Sequence, residues 1–285
     1  MITKNDYSVI IPTYKRSNRV ITYNKLREQG YKGKIYLLIG DDDPQIEQYK
    51  QKYPNEIVMF SKDDYIDKVD MIDNFKGKNC VVYARNAMWD IAKKLGLKYF
   101  CVLDDDYSNF AYRRVFGEQL RGFKVNSLDD IIYCCFDYLD KTKNLDCFAW
   151  SQTGDFIGGA GGYSAIGRKR KIMNGFFFKT DTPISFMGRI NEDLSASVYH
   201  GQRGKMFWTI NDITIQQLAT QSNEGGLTDL YLDMGTYIKS FYSVIVAPNC
   251  VKISTTGNND MRIHHKVKWN KTSPKLIREI HKKRG

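Results

Sequence analysis

Long apolar segments are missing from this sequence of 285 residues, and so is any pattern of paired cysteines. No stretch approaches the roughly 20 apolar residues that a membrane-spanning helix needs. The first residues include no apolar segment of signal-peptide length. The six cysteines form no CxxC pair and no metal-site spacing, and several lie in apolar runs where a thiol packs as a small hydrophobe. We therefore expect a soluble protein of the reducing cytoplasm, without a disulfide framework or a membrane span.

Positive charge is concentrated in two parts of the chain. The net charge is +11, and the segment from Arg262 to the end carries nine basic residues against the single Glu279. A second basic block lies at residues 168–171. Such clustering favours a polyanionic partner such as nucleic acid, or an anionic membrane surface, whereas the alternative is a solvated tail that keeps the protein soluble. The residues that we predict to contact nucleic acid in these segments are Arg168, Lys169, Arg170, Lys266 and Lys268.

Strand-like and helix-like segments alternate through the first hundred residues. The strand-like runs are short and apolar on both faces, as in a buried parallel sheet, and the intervening segments suit helices. This alternation predicts an α/β fold with a mostly parallel, Rossmann-like sheet flanked by helices. The predicted strands are Ser8–Pro12, Lys34–Ile39, Glu56–Phe60 and Lys98–Leu103, and the predicted helices are Ser17–Gln29 and Lys78–Leu95.

The second half predicts a mixed continuation of the same domain. It contains no internal repeat and no linker long enough to separate domains. We therefore predict one domain over residues 1–265 and a basic C-terminal tail over residues 266–285. The predicted elements here are a helix at Ser127–Lys141, a glycine hinge at Gly158–Gly162, strands at Leu145–Ser151, Asn174–Lys179 and Phe207–Gln216, and a strand pair at Ser243–Ser254.

Two aspartate triplets follow the second and fourth predicted strands. Ligands bind open α/β sheets outside the carboxyl ends of the strands, which is where both triplets lie. Clustered carboxylates repel one another unless a cation compensates them, and Asp oxygens suit Mg²⁺ or Mn²⁺. Such a metal can bridge a diphosphate and stabilise it as a leaving group. The residues involved are Asp41, Asp42 and Asp43 in the first triplet and Asp104, Asp105 and Asp106 in the second, with Asp104 and Asp106 as metal ligands.

A third acidic pair, Glu192 and Asp193, is a candidate source of the general base that takes a proton from an acceptor hydroxyl. Acidic residues at a helix N-terminus are also common without any catalytic role. His264 and His265, just past the last predicted strand, are candidate ligands for the same metal, since neutral imidazole suits Mn²⁺-like ions. The alternative is that both histidines belong to the basic surface tail.

Taken in order, these motifs resemble those of the GT-A glycosyltransferases over roughly residues 8 to 265. SVIIPTYKR is similar to their nucleotide-binding start, IGDDDP to the acidic position that contacts base and ribose, and YARNAMWD to the ARN helix of inverting members. VLDDDY resembles the DXD metal motif, and NED the motif whose aspartate acts as base, here Asp193. The resemblance implies donor contacts by Thr13, Arg16, Asp41, Asp42, Asp43, Arg85, Asn86, Asp104 and Asp105.

Within that fold the chain most resembles the TET/JBP-associated glycosyltransferases, the DNA-modifying group related to the base J glucosyltransferases and their phage counterparts. The grounds are VLDDDY, GGAGGYSAIGRKR, QLATQSNEGGLTDLY and STTGNNDMRIHHK. The resemblance implies transfer from a UDP-sugar to the hydroxymethyl of a 5-hydroxymethylpyrimidine in DNA, with Mn²⁺ or Mg²⁺ as cofactor, in the cytoplasm of the cell or of a phage host. It implies no membrane partner, and the basic tail fits DNA independently.

Aromatic and basic residues are interleaved between Phe110 and Lys124. This segment either stacks an exposed base and holds its flanks or forms a hairpin whose aromatics pack inward. Its predicted nucleic-acid contacts are Arg113, Arg114, Arg121 and Lys124. Three rival functions stay open: transfer to a glycan or protein, a metal-dependent nuclease, and a non-catalytic DNA-binding protein on a transferase scaffold.

Overall fold

The computed structural model describes residues 2–156, 159, 172–173, 175–217, 235–257 and 261–272. Within these ranges nine strands form one mixed sheet, and two more form a separate antiparallel hairpin. The strands are β1 (Tyr7–Thr13), β2 (Ile35–Gly40), β3 (Ile57–Phe60), β4 (Tyr99–Val102), β5 (Tyr107–Phe116), β6 (Gln119–Lys124), β7 (Cys147–Gln152), β8 (Phe176–Lys179), β9 (Phe207–Gln217), β10 (Val251–Thr256) and β11 (Arg262–Val267). The α-helices are α1 (Ile21–Glu28), α2 (Ile46–Lys52), α3 (Val82–Lys94), α4 (Leu128–Lys141), α5 (Glu192–Gln202) and α6 (Lys239–Val246).

The sheet has the strand order β3-β2-β1-β4-β8-β7-β9-β5-β6. Its first four strands are parallel, as the alternation of the first hundred residues predicts. β8 then runs antiparallel to both β4 and β7, β9 is parallel to β7, and β5 and β6 add an antiparallel hairpin at the far edge. The α/β prediction is confirmed, with a mixed rather than mostly parallel sheet.

Two apolar layers enclose the sheet, because side chains of each strand alternate between its faces. On one face Phe136 of α4 packs against Phe177, which in turn stacks on Phe148. On the other face α3 packs through Trp89 against Phe100 and Phe178. The run Phe176–Phe178 is therefore buried core.

The structure overturns one predicted element. Residues 243–254 are predicted as a strand pair, but the structure has the helix α6 as far as Val246, a turn, and only then the strand β10. β-branched residues favour strands in sequence patterns, yet α6 is stabilised by packing against α5 and the β10–β11 hairpin. The predicted hinge at residues 158–162 lies outside the described residues apart from Gly159.

The helices and cysteines bear on two further expectations. None of the helices in the described ranges is long and apolar enough to cross a membrane. All six cysteines are free thiols, and five of them are buried, as expected for small hydrophobic side chains. The boundary at residue 265 stays a prediction, although β11 runs on to Val267 and so includes Lys266.

Candidate active site

The carboxyl ends of β1, β2 and β4 lie at one edge of the sheet, because these strands are parallel neighbours. Asp41 follows β2 directly, and Asp104 follows β4 after a single leucine. Thr13 ends β1 between them. The sequence prediction that both aspartate triplets share an edge is thus met by the strand order.

Asp105 links two of the other predicted donor residues, Thr13 and Arg16. Its carboxylate accepts hydrogen bonds from Thr13 Oγ1 at 2.7 Å and from Arg16 Nη1 at 2.6 Å. Tyr49 completes this group, since its hydroxyl lies 3.0 Å from Thr13 Oγ1 and accepts from the Arg16 amide at 2.9 Å. Burial raises the pKa of Asp105, and Arg16 and Thr13 oppose that shift. Asp105 therefore fixes the loop after β1 against the second triplet.

The first triplet is divided between an inner and an outer part. Asp43 is buried and accepts from the Lys15 amide at 2.7 Å, which ties the loop after β2 to the loop after β1. Asp42 pairs with Lys62 Nζ at 2.8 Å, and Asp41 is exposed. A Cβ at Gly40 would lie 2.6 Å from Asp42 Oδ1, so a side chain at this position would require the Asp42 carboxylate to move. Asp41 and Asp42 are the members left facing solvent.

Arg85, on α3, connects the second triplet to the acidic pair of α5. The guanidinium is almost fully buried, and its Nη2 donates to Asp104 Oδ1 at 2.5 Å. Its Nε lies 3.6 Å from Glu192 Oε1. Burial would lower the pKa of Arg85, but the charges of Asp104 and Glu192 raise it above its ordinary value. One buried cation thus holds together carboxylates that lie 88 residues apart in sequence.

The acidic pair opens α5, and Asn191 sets its position. Asn191 adopts a left-handed backbone with φ of 61°, which asparagine tolerates better than most residues. Its side chain donates to Ser243 Oγ of α6 at 2.6 Å. Asp193 is buried, and its carboxylate accepts the Leu194 amide at 2.6 Å within the first helical turn. Burial and the neighbouring Asp193 charge raise the pKa of Glu192, so Glu192 favours its protonated form.

The sequence predicts the two histidines just past the last strand, but the structure has both of them within β11. They pair with Ser254 and Ile253 of β10. His265 Nδ1 is 3.5 Å from Asn191 Nδ2, which places this imidazole beside the start of α5. Burial, together with Lys239 and Arg262, lowers the pKa of His264, so its imidazole is neutral near pH 7. Metal ligation by either histidine stays a prediction.

Asn86 follows Arg85 on α3, and the Asn86 side chain already forms hydrogen bonds within the protein. Its amide donates to the Phe186 carbonyl at 3.0 Å and accepts from the Phe186 amide at the same distance. Arg189 extends this anchor, since it pairs with Asp73 at 2.9 Å. Both contacts hold the segment that leads into α5. A donor contact by Asn86 stays a prediction, and the structure gives Asn86 a positioning role.

Comparison with known proteins identifies the family. Residues 7–226 match the family described as TET-Associated Glycosyltransferase, over more than three quarters of the chain. The chain belongs to this family. It is therefore a glycosyltransferase, and the matched segment includes both aspartate triplets, Arg85 and the acidic pair of α5.

Solved structures with similar folds include two nucleotide-sugar enzymes. Glucosyl-3-phosphoglycerate synthase from Mycobacterium tuberculosis, in complex with Mg²⁺ and UDP, is 10% identical with a TM-score of 0.47, covering 92% of this chain and 87% of the other. A mannosyltransferase from Pyrobaculum calidifontis, in complex with GDP-Man and Mn²⁺, is 12% identical with a TM-score of 0.45, covering 85% and 74%. No curated protein matches the sequence. The family assignment rests on the family match alone.

Asp106 is the residue of this glycosyltransferase whose environment best suits a cation. Its side chain is half-buried, and Gln217 Nε2 donates to its Oδ1 at 3.3 Å. Burial and the charges of Asp104 and Asp105 raise the pKa of Asp106 to about 7. No three His, Cys, Asp or Glu side chains of the described ranges are grouped to hold a metal by themselves. Proteins commonly bind Mg²⁺ through one or two carboxylates, and phosphate oxygens of the substrate complete its coordination. Asp104 and Asp106 fit that arrangement.

Metal binding at Asp106 should depend on pH with a definite sign. The carboxyl is protonated below about pH 7 and must lose its proton to ligate a cation, so affinity rises as the pH rises through 7. Without metal the same raised pKa makes folding less favourable as the pH rises from about 4 to 7. We expect the thermal stabilisation by Mn²⁺ plus UDP to be larger at pH 7.5 than at pH 6. The Asp106→Asn variant lacks the titrating carboxyl, so any pH effect that it still shows comes from UDP. An equal stabilisation of wild type at both pH values would contradict the assignment of Asp106 as a metal ligand.

The predicted nucleic-acid contacts divide by position. Arg113, Arg114, Arg121 and Lys124 lie in the β5–β6 hairpin, and Lys266 and Lys268 are exposed at the end of β11 and just beyond it. Arg113 packs over the ring of Phe156 at 5.5 Å, unlike the exposed Arg114 and Arg121. Arg168, Lys169 and Arg170 lie outside the described residues, as does the tail after Thr272.

Two site residues of this enzyme escape sequence reasoning. Lys62 is buried, pairs with Asp42 and lies 4.2 Å above the ring of Tyr14. It follows β3 at the same sheet edge as the aspartate triplets, which is the signal that points to it. Tyr49 lies on the buried side of α2 and has no such signal, because one apolar position of a short helix resembles any other.

Proposed function

We propose that this protein transfers a sugar from a UDP-sugar to the hydroxymethyl group of a 5-hydroxymethylpyrimidine in DNA, with inversion at the anomeric carbon and with Mn²⁺ or Mg²⁺ bound. Sugar transfer follows from the family, while the donor, the metal and the acceptor are the proposal. Action on DNA would place the enzyme in the cytoplasm, of a host if the gene is carried by a phage.

The pairing of Arg85 with both Asp104 and Glu192 carries the proposal. It holds the predicted diphosphate side of the site, at the end of β4, next to the predicted base side, at the start of α5. A transferase needs these two functions close together, because the leaving group departs from one face of the anomeric carbon while the acceptor attacks the other. A scaffold that only binds DNA has no need for one buried arginine that pairs with two acidic side chains.

Asp104 and Asp106 would hold the divalent cation, which screens the charge of the departing diphosphate. Thr13, Arg16 and the exposed Asp41 and Asp42 line the same sheet edge and would orient the nucleoside. Asp105 fixes the loop with Thr13 and Arg16, so its role in donor binding is indirect.

Asp193 would act as the base. Its carboxylate accepts the proton of the hydroxymethyl group as that oxygen attacks the anomeric carbon, and the bond to the diphosphate breaks with its electron pair leaving on UDP. The Asp193 carboxylate accepts the Leu194 amide at the N-terminus of α5, the end of a helix at which acidic side chains are stabilised. Glu192 has a raised pKa beside Arg85 and is better suited to hold a proton than to take one.

The test is a mass measurement on defined DNA. Oligonucleotides with 5-hydroxymethylcytosine, 5-hydroxymethyluracil or only unmodified bases are incubated with UDP-sugars, the protein and Mn²⁺ or Mg²⁺. We expect a mass gain of one sugar on a hydroxymethyl oligonucleotide and none on unmodified DNA. Transfer to a glycan or protein acceptor instead, or metal-dependent cleavage of DNA without any sugar nucleotide, would replace the proposal by one of its rivals.

A further inference from the structure

One face of the β5–β6 hairpin combines exposed aromatic rings with arginines. The register pairs Tyr112 with Phe123, Arg114 with Arg121 and Phe116 with Gln119, so these side chains share a face. Phe116 and Phe123 are 49% and 44% exposed and contact each other at 5.6 Å between ring centroids. A contiguous exposed apolar patch that is rimmed by polar residues marks an interaction site.

The two arginines are placed directly opposite each other across the strands. Like charges in that position destabilise a hairpin unless an anion lies between or above them. Among the described residues neither Arg114 nor Arg121 is paired with an acidic side chain; the nearest ring contacts are Arg121 over Phe116 at 5.9 Å and Arg114 over Tyr112 at 5.7 Å. A phosphate backbone would supply these arginines with the acidic partner that the described residues do not provide.

The hairpin starts at the candidate active site and extends away from it. β5 begins at Tyr107, directly after Asp106, and Arg114 lies eight residues further along the strand. At about 3.3 Å per residue that places Arg114 roughly 25 Å from the metal-binding carboxylates. A DNA strand covers the same distance in about seven nucleotides at roughly 3.4 Å each.

We infer that this face of the hairpin binds DNA that flanks the modified base, about seven nucleotides from it, by stacking Phe116 and Phe123 on bases and by pairing Arg114 and Arg121 with phosphates. The inference rests on the proposed function for the identity of the acceptor. The hairpin residues take no direct part in sugar transfer, because residues that far from Asp106 cannot touch the reacting hydroxymethyl group. Arginine and aromatic side chains together fit nucleic acid better than an acidic peptide, which has no flat bases to stack.

This inference predicts that the KM for the DNA acceptor depends on the length of that DNA. A hexamer with a central modified base reaches at most about three nucleotides to either side, whereas a 24-mer reaches the hairpin. We expect a KM about tenfold lower for the 24-mer than for the hexamer with wild type, with similar kcat values. Phe116→Ala/Phe123→Ala and Arg114→Gln/Arg121→Gln should each raise the KM for the 24-mer towards that of the hexamer and leave the hexamer unchanged.

A matched control removes two positive charges elsewhere. Lys93→Gln/Lys94→Gln alters exposed lysines at the end of α3, which leads into the inner strand β4 and not into the hairpin, and should leave both KM values unchanged. Binding of an unmodified 24-mer, followed by fluorescence anisotropy against salt, should lose about two in log–log slope with Arg114→Gln/Arg121→Gln and little with the control.

These readouts separate the inference from the proposed function. If no hydroxymethyl DNA accepts a sugar but the hairpin variants still weaken 24-mer binding, the proposed function fails and the inference on the hairpin stands. If transfer occurs with equal KM for hexamer and 24-mer, and neither hairpin variant changes KM or the salt slope, the inference is overturned.

Discussion

Asp193→Asn is expected to lower kcat by about a thousandfold while UDP binding stays near that of wild type. General-base catalysis contributes roughly 10²–10⁴ to rate, and asparagine has no carboxylate to accept the proton. The substitution keeps the side-chain shape, so the buried start of α5 should stay folded. Single-turnover transfer to a hydroxymethyl oligonucleotide measures the loss, and isothermal titration of UDP measures donor binding.

Glu192→Gln is the matched control for that experiment, because it makes the same chemical change one residue away. Glu192 lies against Arg85 and has a raised pKa, so we expect a loss of tenfold or less. The reverse outcome, a small loss for Asp193→Asn and a complete one for Glu192→Gln, would exchange the two roles. Loss of UDP binding in Asp193→Asn would assign Asp193 to structure.

Arg85→Met is expected to cost about 3–5 kcal/mol in the free energy of unfolding at pH 7, the range found when one partner of a buried ion pair is removed. Arg85 is nearly fully buried and contacts both Asp104 and Glu192, so its loss leaves the Asp104 carboxylate without its cation and Glu192 without its charged partner. Methionine fills much of the volume, which separates the charge effect from a cavity. Chemical denaturation of the metal-free protein measures it.

Two further variants make the Arg85 result specific. Asp104→Asn added to Arg85→Met removes the uncompensated carboxylate and should recover part of the lost stability. Arg85→Lys keeps the charge but lacks the planar fork that reaches both carboxylates, so its cost should fall between wild type and methionine. An Arg85→Met protein within 1 kcal/mol of wild type would refute the bridging role.

The sequence predicts the parallel half of the fold well, and for a physical reason. Each strand from β1 to β4 is a short apolar run followed by polar loops or helices, so Tyr7–Thr13 and Ile35–Gly40 are visible without structure. The same logic places Asp41 and Asp104 at one edge. The family resemblance in the motifs is also confirmed by the match over residues 7–226.

Long-range side-chain pairing is what the sequence leaves out. Nothing local in YARN distinguishes an arginine that contacts phosphate from one that lies between Asp104 and Glu192, since that depends on how α3 packs against β4 and α5. Residues 243–246 belong to a helix although the sequence predicts a strand there, because tertiary packing decides the outcome for short apolar segments. In the β5–β6 hairpin Phe110 packs inward while Phe116 is exposed, so inward packing holds for only part of the aromatics and base stacking stays a prediction.

UDP binding in the presence and absence of Mn²⁺, measured by isothermal titration calorimetry on wild type and Asp106→Asn, tests most directly whether the strand-end carboxylates form a sugar-nucleotide site. We expect wild type to bind UDP at least tenfold more tightly with Mn²⁺ than without it, and Asp106→Asn to lose that difference. Equal affinity with and without metal, or a metal effect of unchanged size in Asp106→Asn, would contradict the assignment of this site.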